Sequence, residues 1–420
     1  MLGLGQVGLP TALLLAQDRR VVGVDVDASV VDTLEGGALP FSEPGLPDLL
    51  EATGDRFSAQ TTVPADADTY VVATPTPLEE VTGVADMQYV REAVETVASR
   101  LDPDDLVVLE STVPPGTSSR LVVPLLEESG LEAGEFNYAY CPERAIPGRT
   151  VREMVENDRI VGCLDAESQA AVHDLYGYVE GELHATDPTT AEFVKLMENT
   201  YRDVNIALAN EFATLSEAGG IDGREAIDLA NNHPRVDILE PGPGVGGHCI
   251  PIDPQFLTQS STDSRLISVA RDINNAMALR TVNHVRELTT AVPDAKLTVL
   301  GAAYKGDVAD TRRTPTRRVV RLAENEGFDV QVTDPHVEEF ERPVDDFGEA
   351  TDGSDCLVLV TDHEAYDTLD PESLATRMRR PALVDTRGLV DPERWEAAGF
   401  AVRRLGDGTR GSSATIGGGR

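Results

Sequence analysis

Residues 2–8 read LGLGQVG, and this stretch decides the fold of the first part of the chain. Its glycines stand in GxGxxG spacing, the segment PTALLLAQ after it has a helical pattern, and an apolar strand follows that leads to Asp25. The order strand, glycine turn, helix, strand and acid is typical of a dinucleotide site in a Rossmann domain. Only Met1 and Leu2 remain of the strand before the turn, where about five residues are usual. The sequence therefore leaves open whether the chain begins further upstream.

Each residue of this motif has its own physical role. Gly3 permits the tight turn, Gly5 lets the backbone approach a pyrophosphate, and Gly8 allows the helix to pack closely on the strand. The N-terminus of the helix then faces the phosphates. Asp25 would accept a hydrogen bond from a ribose hydroxyl and would repel a 2′-phosphate, so we expect the cofactor to be NAD rather than NADP.

Further strands alternate with helical segments, which predicts doubly wound parallel sheets. In the first half of the chain these strands are TYVVATPTP (69–77), DLVVLESTVPPGTS (105–118) and NYAYCPERAIPG (137–148). A second α/β unit has its strands at KLTVLGAAY (296–304) and near 328–333, 356–361 and 381–385. The predicted fold class is α/β, with two Rossmann-like doubly wound domains.

A long helix is expected between the two α/β units. The residues DPTT (187–190) form a strong helix start, with a capping box from Thr189 to Glu192. The helical pattern continues to Gly219 and predicts about 30 residues, or roughly 45 Å. Such a length suggests a central helix that joins the two units and offers a dimer surface. Shorter helices are expected at about 223–232 and 264–290.

The composition limits the classes of function that are possible. The chain has 420 residues, of which 41% are hydrophobic, so two or three globular domains are expected. No apolar run reaches the roughly 18 residues of a membrane span. Acidic residues number 73 against 35 basic ones, and the net charge of −38 argues against nucleic acid or a membrane as a partner. An acid-rich surface with only three lysines resembles proteins that work in molar salt.

The four cysteines lie far apart without CxxC spacing, which argues against a metal site or a disulfide framework and for the reducing cytoplasm. Cys141 ends an apolar strand, and Cys163 and Cys356 occupy strand-like runs, so we expect these three to be structural. Cys249 lies instead in PGPGVGGHCIPIDP (241–254), which can form neither helix nor strand. A cysteine in such a loop is a candidate nucleophile.

Several polar residues predict a chemistry for this cysteine. Lys195 and Asn199 stand at i and i+4 on the long helix and so share one face, and a partly buried ammonium there can stabilise an oxyanion. The general base could be Glu143 or Asp253, acting through a water placed by Thr112. Together with NAD, these residues suggest a four-electron oxidation. An alcohol becomes an aldehyde, cysteine captures it as a thiohemiacetal, a second oxidation gives a thioester, and water releases a carboxylate.

Across nearly its full length the sequence resembles the UDP-glucose/GDP-mannose dehydrogenase family. The resemblance is carried, in order, by LGLGQVGLPTA, ESTVPPGT, AYCPERAIPG, NDRIVG, FVKLMENTYRDVNIALANE, PGPGVGGHCIPIDP and AAYKGDVADTR. It implies NAD-dependent oxidation of the C6 hydroxyl of a UDP-hexose, for polysaccharide or glycan biosynthesis. The stretches NNHPRVDILEPGPGVGGHCI and RDVNIALANE are most similar to members that act on UDP-N-acetyl-D-mannosamine, so we expect that substrate.

The resemblance also implies three domains. An NAD-binding domain is expected at 1–186, a helical dimerisation domain at 187–292 and a UDP-binding α/β domain at 293–406. Residues 407–420 have little apolar content and are expected to form a disordered tail. The active protein would be a homodimer whose subunits share their active sites.

Residue roles follow from the resemblance by position. Catalytic roles fall on Cys249, Lys195, Asn199, Asp253, Glu143 and Thr112. NAD would contact Gly3, Gly5, Gly8, Asp25, Thr74 and Thr112. The UDP-sugar would contact Glu143, Arg144, Lys195, Asn199, Arg235, Gly246, Lys305, Arg312 and Arg387. Arg235 would reach the substrate of the partner subunit, and Arg313 stands where the family usually has an acid.

Other interpretations of the sequence stay open. The substrate could be UDP-N-acetylglucosamine or UDP-glucose. A two-electron hydroxyacid dehydrogenase also pairs a Rossmann domain with a helix carrying lysine and asparagine, but it would not need the GGHC loop or the second α/β domain. A cofactor-binding regulator without activity would not need Cys249, Lys195 and Asp253 together.

Overall fold

The computed structural model describes four segments of the chain, residues 1–79, 83–259, 263–290 and 292–409. Their contacts define two units, one formed by residues 1–198 and 255–259 and the other by residues 199–254 and 263–409. Among these residues, no helix is both long enough and apolar enough to cross a membrane.

Strands and helices alternate in the first unit. Its strands are β1 (Val21–Val24), β2 (Phe57–Gln60), β3 (Thr69–Val72), β4 (Leu106–Leu109), β5 (Asn137–Tyr140), β6 (Arg159–Cys163) and β7 (Leu183–Thr186). Its helices are α1 (Gly8–Leu15), α2 (Ala28–Glu35), α3 (Leu46–Thr53), α4 (Gln88–Ala98), α5 (Val123–Glu127), α6 (Thr150–Glu156) and α7 (Ala166–Leu175). A π-helical turn at Ser118–Val122 runs directly into α5.

These strands form one mostly parallel sheet. β1 pairs with β2, and β3, β4 and β5 pair in that order, all in parallel. Leu2 makes parallel bridges to Val24 of β1 and Val72 of β3, so the residues before the glycine turn serve as the central strand. β6 lies antiparallel to β5 and parallel to β7, an exception that the sequence pattern did not indicate.

Both faces of this sheet are covered. Tyr70, Val72 and Val107 belong to one buried apolar cluster, whereas Val71 and Val108 belong to another. Successive side chains of a strand point to opposite faces, so the two clusters lie on the two sides of the sheet. A parallel sheet with both faces buried is the doubly wound arrangement that the sequence predicts.

Helix α8 (Pro188–Gly219) has 32 residues and passes from the first unit into the second. After α8, helix α9 (Gly223–Asn231) lies in the second unit, and α10 (Asp253–Thr258) begins there and ends in the first unit. The second unit also contains α11 (Arg265–Thr289), α12 (Pro315–Asn325), α13 (Phe347–Thr351), α14 (Pro371–Arg377) and α15 (Pro392–Ala397). Its strands are β8 (Lys296–Leu300), β9 (Asp329–Thr333), β10 (Cys356–Leu359), β11 (Ala382–Asp385) and β12 (Ala401–Arg404). They form a parallel sheet in the order β12-β11-β10-β8-β9, which confirms the second doubly wound unit.

The expected start of α8 is partly correct. The carboxylate of Asp187 caps it by accepting the backbone N–H of Thr190 at 3.0 Å. The predicted capping box was wrong, because Glu192 is fully buried and accepts the backbone N–H groups of Gly116 and Ser118 instead. A buried carboxylate needs donors, and the turn that leads into α5 supplies them.

Residues 407–409, which were predicted to belong to a disordered tail, are ordered in the structure. Asp407 is buried and forms a bridge with Asp222 at the start of α9. The backbone N–H of Gly408 also donates to the carbonyl of Ile221 at 2.9 Å. The chain is therefore packed as far as residue 409, and residues 410–420 lie outside the described part.

Candidate active site

The glycine turn of the first unit has the shape that a dinucleotide requires. Gly3 has a φ of +90°, and a Cβ atom there would lie 2.6 Å from the carbonyl oxygen of Ala73. A Cβ on Gly8 would lie 1.9 Å from the carbonyl oxygen of Gly3. A Cβ on Gly5, by contrast, would meet nothing within 4 Å. Two glycines are thus demanded by the protein itself, and the third leaves open space where a pyrophosphate could approach the backbone.

Asp25 follows β1 and is half-exposed beside this turn. Its Oδ2 accepts the backbone N–H of Leu4 at 2.8 Å, and its Oδ1 accepts that of Asp27 at 3.0 Å. These bonds fix the carboxylate at the end of the strand while leaving lone pairs for a ribose hydroxyl. Val26 is 94% exposed at the same edge.

Thr74 and Thr112 lie on neighbouring loops of the first unit. The hydroxyl of Thr74 is buried and makes no hydrogen bond, although its carbonyl accepts the hydroxyl of Ser111 at 2.7 Å. The hydroxyl of Thr76 donates to the carbonyl of Thr112 at 2.7 Å. A buried hydroxyl without a partner is costly, so Thr74 together with the open space at Gly5 fits a bound NAD.

Glu143 and Lys195 form the charged part of the first unit's site. Oε1 of Glu143 is buried without a hydrogen-bond partner, and Lys195 is only 6% exposed. Burial raises the pKa of Glu143 to about 7, although the nearby charge of Lys195 opposes the shift. A carboxyl group with such a pKa can accept a proton near neutral pH, which is the requirement for a general base.

Arg144, which the resemblance assigns to the substrate, has other partners here. Its guanidinium donates to both carboxylate oxygens of Glu198, at 3.1 and 2.6 Å, and to the carbonyl of Asp158 at 2.6 Å. These bonds tie the loop that carries Glu143 to helix α8. In this structure Arg144 therefore braces the loop, and its contact with substrate stays a prediction.

The structure also contains a buried ion pair near Glu143 that the sequence did not predict. Arg159 and Glu110 are 3.3 Å apart and both buried. The hydroxyl of Tyr176 donates to Glu110 at 2.7 Å, and the guanidinium lies 4.6 Å from the centre of the Tyr176 ring. Cys141 is fully buried beside this pair, and burial raises the pKa of its thiol to about 11, as expected for a structural cysteine.

Cys249 is the exposed member of the four cysteines. Its carbonyl accepts the backbone N–H groups of Ile252 at 3.0 Å and Asp253 at 2.8 Å, which closes a tight turn before α10. Asp253 is 3% exposed, and its Oδ2 accepts the side-chain amide of Asn199 at 2.6 Å. The structure thus brings the predicted Asn199 and Asp253 together, with the cysteine one turn away.

Two asparagines of α8 hold the chain before this turn. The side chain of Asn205 donates to the carbonyl of Asp237 at 2.7 Å and accepts the N–H of Leu239 at 3.1 Å. Asn210 accepts the N–H of Gly242 at 2.8 Å and donates to Asn274 of α11 at 2.9 Å. A Gly/Pro-rich loop therefore has a defined path because side chains of regular helices hold its backbone.

The cysteine loop also contacts the loop before α12. The N–H of Gly247 donates to the carbonyl of Arg312 at 3.0 Å. A Cβ on Gly246 would lie 2.7 Å from the Cβ of Tyr304, so this position must be glycine for the two loops to approach. Partial desolvation and the charge of Arg312 lower the pKa of His248 to about 4. His248 is therefore neutral at physiological pH.

The remaining residues assigned to the UDP-sugar lie in the second unit. Arg312 donates to both carboxylate oxygens of Asp310, at 2.9 to 3.0 Å, and Lys305 is half-buried in the same loop. Arg387 donates to the carbonyl of Val360 at 2.7 Å. Arg235 is exposed beyond α9, away from the cysteine turn in sequence.

The fold and these residues define a class: an NAD-binding dehydrogenase with two doubly wound units and an exposed cysteine. Family models for the UDP-glucose/GDP-mannose dehydrogenase family match three parts of the chain. The NAD-binding domain matches residues 1–180, the central domain residues 189–276 and the UDP-binding domain residues 298–392. The chain belongs to this family. Membership confirms the NAD cofactor, and it favours a UDP-sugar dehydrogenase over the hydroxyacid dehydrogenase alternative.

The chain is similar to individual members of the family over nearly its full length. The UDP-N-acetyl-D-mannosamine dehydrogenase of Methanococcus maripaludis is 40% identical over 97% of this chain and 96% of that protein. The solved structure of the Pyrococcus horikoshii UDP-D-ManNAc dehydrogenase has a TM-score of 0.91 at 37% identity, over 97% of this chain and 99% of that one. A UDP-glucose dehydrogenase from Pyrobaculum islandicum has a TM-score of 0.87 at 26% identity, over 97% and 96%.

Proposed function

We propose that this protein oxidises the C6 hydroxyl of UDP-N-acetyl-D-mannosamine to the carboxylate, giving UDP-N-acetyl-D-mannosaminuronate. The sugar is inferred from the relatives named above. The observation that carries the four-electron chemistry is the exposed Cys249 in a turn that also places the buried pair of Asp253 and Asn199. Oxidation that stopped at an aldehyde would not require this cysteine.

In the first oxidation, the substrate hydroxyl loses its proton and the C6 carbon loses a hydride. NAD, when bound at the glycine turn, supplies the hydride acceptor for both oxidation steps. Lys195 and Asn199 stand one helical turn apart on α8 and would hold the substrate oxygen as negative charge develops. Asp253, oriented by the amide of Asn199, would take up the proton.

In the second half of the reaction the cysteine forms a covalent bond. The sulfur of Cys249 adds to the aldehyde carbon while the thiol proton passes to the oxygen, giving a thiohemiacetal. Loss of this hydroxyl proton and of a second hydride from the same carbon leaves a thioester. Glu143 would then remove a proton from a water held by Thr112, and this water attacks the thioester. The carbon–sulfur bond breaks, the carboxylate leaves, and the thiol is restored. One sugar thus reduces two NAD.

The experiment is an assay of NADH release with UDP-N-acetyl-D-mannosamine, UDP-N-acetylglucosamine and UDP-glucose, with sugar consumption measured in parallel. We expect the first substrate to have the highest kcat/KM and to yield two NADH per sugar. One NADH with release of an aldehyde would contradict the four-electron mechanism. A higher kcat/KM for another sugar would contradict the substrate assignment alone.

Replacing the nucleophile tests the covalent step. Cys249→Ser should lower the rate of uronate formation by at least about a thousandfold, because serine is a far weaker nucleophile near neutral pH. Binding of UDP and NAD, measured by calorimetry, should stay close to wild type. Cys163→Ser is the matched control, since Cys163 lies in β6 and is buried. Wild-type turnover by the Cys249 variant would rule out the thioester.

We also propose a homodimer formed through α8 and α11. Large apolar side chains stay exposed on both helices, including Leu208, Leu215 and Leu266, whose exposed fractions are 43, 60 and 67%. Apolar surface of this kind is typical of an interface. The exposed Arg235 could then serve the partner's site. Sedimentation analysis should give a dimer, and Leu215→Glu should shift it towards monomer, whereas a wild-type monomer would contradict the proposal.

The scattered cysteines support a cytoplasmic enzyme, and the acidic composition supports one that works in molar salt. With a net charge of −38, self-repulsion extends over about 30 Å at about 0.01 M salt but over only about 3 Å at about 1 M. The melting temperature and the rate of NADH production should therefore rise with KCl concentration. Thermal unfolding and activity from low to multi-molar KCl test this expectation. A melting temperature that stays flat or falls would contradict it without affecting the assigned reaction.

A further inference from the structure

The loop between β8 and α12 has an unusual backbone. Asp307 and Arg313 have φ values of +59° and +51°, in the left-handed region that non-glycine residues seldom adopt. A Cβ on Gly306 would lie 2.2 Å from the carbonyl oxygen of Asp362, so the loop lies directly against the segment after β10. A strained loop persists only where the surrounding structure holds it.

A chain of hydrogen bonds centred on the buried His363 holds the loop in this way. The backbone N–H of Asp307 donates to Nδ1 of His363 at 2.9 Å. Nδ1 is therefore the unprotonated nitrogen, and Nε2 carries the proton that it donates to Oδ2 of Asp334 at 3.0 Å. The same oxygen accepts the N–H groups of Ala302 and Ala303, at 2.7 and 3.0 Å. His363 is fully buried.

These contacts join the start and the middle of one loop to one histidine. Asp334 holds the residues directly after β8, and His363 holds the backbone at Asp307, between the two positions assigned to the UDP-sugar. Lys305 lies two residues before this contact, and Arg312 lies beyond it in the same loop. A loop fixed before ligand arrives loses less conformational freedom on binding, which increases affinity.

We propose that His363 and Asp334 are positioning residues for the UDP end of the substrate, and that they act by holding the loop of Lys305 and Arg312 in its binding conformation. This inference rests on the proposed function, since it presumes that the loop binds the anionic nucleotide. Neither residue contacts the ligand in this account. Their effect passes through the backbone of Asp307.

A metal site is the competing explanation for the same side chains. Ligand atoms of Asp307, His336 and His363 lie within 4.8 Å of one another. However, the lone pair of Nδ1 of His363 already accepts the N–H of Asp307. The His336 side chain is 40% exposed, with Nε2 3.5 Å from Asp307. A metal would have to displace the bond that holds the loop, so the geometry favours the hydrogen-bonded arrangement.

The test compares His363→Leu, His363→Asn and the control His336→Asn in the full-length protein. Leucine fills the space without an acceptor, whereas the asparagine oxygen can replace Nδ1. We expect His363→Leu to raise the Kd for UDP by about tenfold, the usual cost of one lost buried hydrogen bond. His363→Asn should recover most of this loss. The Kd for NAD should stay unchanged in all three variants.

Hydrogen exchange of the Asp307 amide gives a readout that needs no ligand. It should accelerate in His363→Leu but not in His336→Asn, even if the substrate assignment is wrong. Equal exchange in wild type and His363→Leu would overturn the proposal. Stoichiometric Zn²⁺ in the purified protein, with His336→Asn weakening UDP binding as much as His363→Leu, would also overturn it in favour of a metal site. Failure of wild type to bind UDP would contradict the proposed function instead.

Discussion

The two α/β units share one plan but use it differently. Each has a strand, a turn that begins with a glycine of positive φ, a helix, a second strand and an acid. The glycines are Gly3 and Gly301, with φ values of +90° and +106°. In the first unit α1 begins at Gly8, within the glycine motif, whereas in the second α12 begins only at Pro315. Only the first unit thus places a helix N-terminus directly at the turn.

The two units also differ in the acid that follows the second strand, which is Asp25 in the first unit and Asp334 in the second. Asp25 is half-exposed and accepts two backbone N–H groups, so its carboxylate retains lone pairs for a ligand. Asp334 is buried and accepts from His363 as well as from four backbone N–H groups, among them those of Ala302 and His336. The same topological position therefore leaves a carboxylate available to a ligand in one unit and holds the architecture in the other.

The largest expected effects come from replacing two glycines of the first unit, one of which affects folding stability and the other NAD binding. Gly8→Ala should destabilise the folded protein by about 3 kcal/mol, because its Cβ would lie 1.9 Å from the carbonyl oxygen of Gly3. Gly5→Ala should fold normally but weaken NAD binding by at least about tenfold, since the added methyl group takes the space for the pyrophosphate. Urea unfolding and NAD titration measure the two effects.

Gly301→Ala is the matched control from the second unit. Its Cβ would lie 2.3 Å from the side chain of Thr361, so it should lower stability without changing the Kd for NAD. If Gly5→Ala bound NAD as tightly as wild type, the first turn would not differ from the turn at Gly301 in binding a cofactor.

Cofactor preference is the next largest effect. Asp25→Asn should reduce the ratio of kcat/KM for NAD over NADP by about a hundredfold, because the amide no longer repels a 2′-phosphate. Asp27→Asn removes the same charge from the exposed cap of α2, two residues away, and should leave the ratio almost unchanged. Steady-state kinetics with NAD and with NADP measure this ratio. Equal ratios for wild type and Asp25→Asn would show that Asp25 does not contact the ribose.

The smallest effect concerns pH and compares two carboxyl groups. Burial raises the pKa of Glu143 to about 7. For Asp334, burial acts in the same direction, but hydrogen bonds from His363 and from backbone N–H groups outweigh it and lower the pKa to about 2. If Glu143 must be ionised to activate water, the hydrolysis rate should fall up to about tenfold per unit below pH 7. The Glu143→Gln variant should hydrolyse the thioester slowly, and its rate should not change with pH in this range. Single-turnover measurements at several pH values test this.

Stability should show opposite behaviour for the two acids. The folded protein holds the proton of Glu143 more tightly than the unfolded chain does, so its contribution is present at low pH and is lost as pH rises through about 7. The contribution of Asp334 is lost only as pH falls from about 4 through about 2. Between pH 5 and 8, unfolding should therefore show a pH-dependent difference for Glu143→Gln and a constant one for Asp334→Asn.

Much of this protein could be predicted from local sequence patterns. The glycine spacing with Asp25 predicts the first unit, and the uninterrupted helical pattern predicts α8. Cys249 is distinguished by a Gly/Pro-rich loop, and it is the exposed cysteine. Each of these features is encoded within about 30 residues, because backbone conformation and helical periodicity depend on neighbouring residues.

Tertiary structure alone decided which distant residues meet. The pairing of Asn199 with Asp253, the burial of Glu192 and the contact of His363 with Asp307 join positions far apart in the chain. A carboxylate or a histidine has the same local appearance whether it binds a ligand, caps a helix or holds a loop. Its role is fixed by burial and by the donors around it, and these exist only once the sheets and helices have packed.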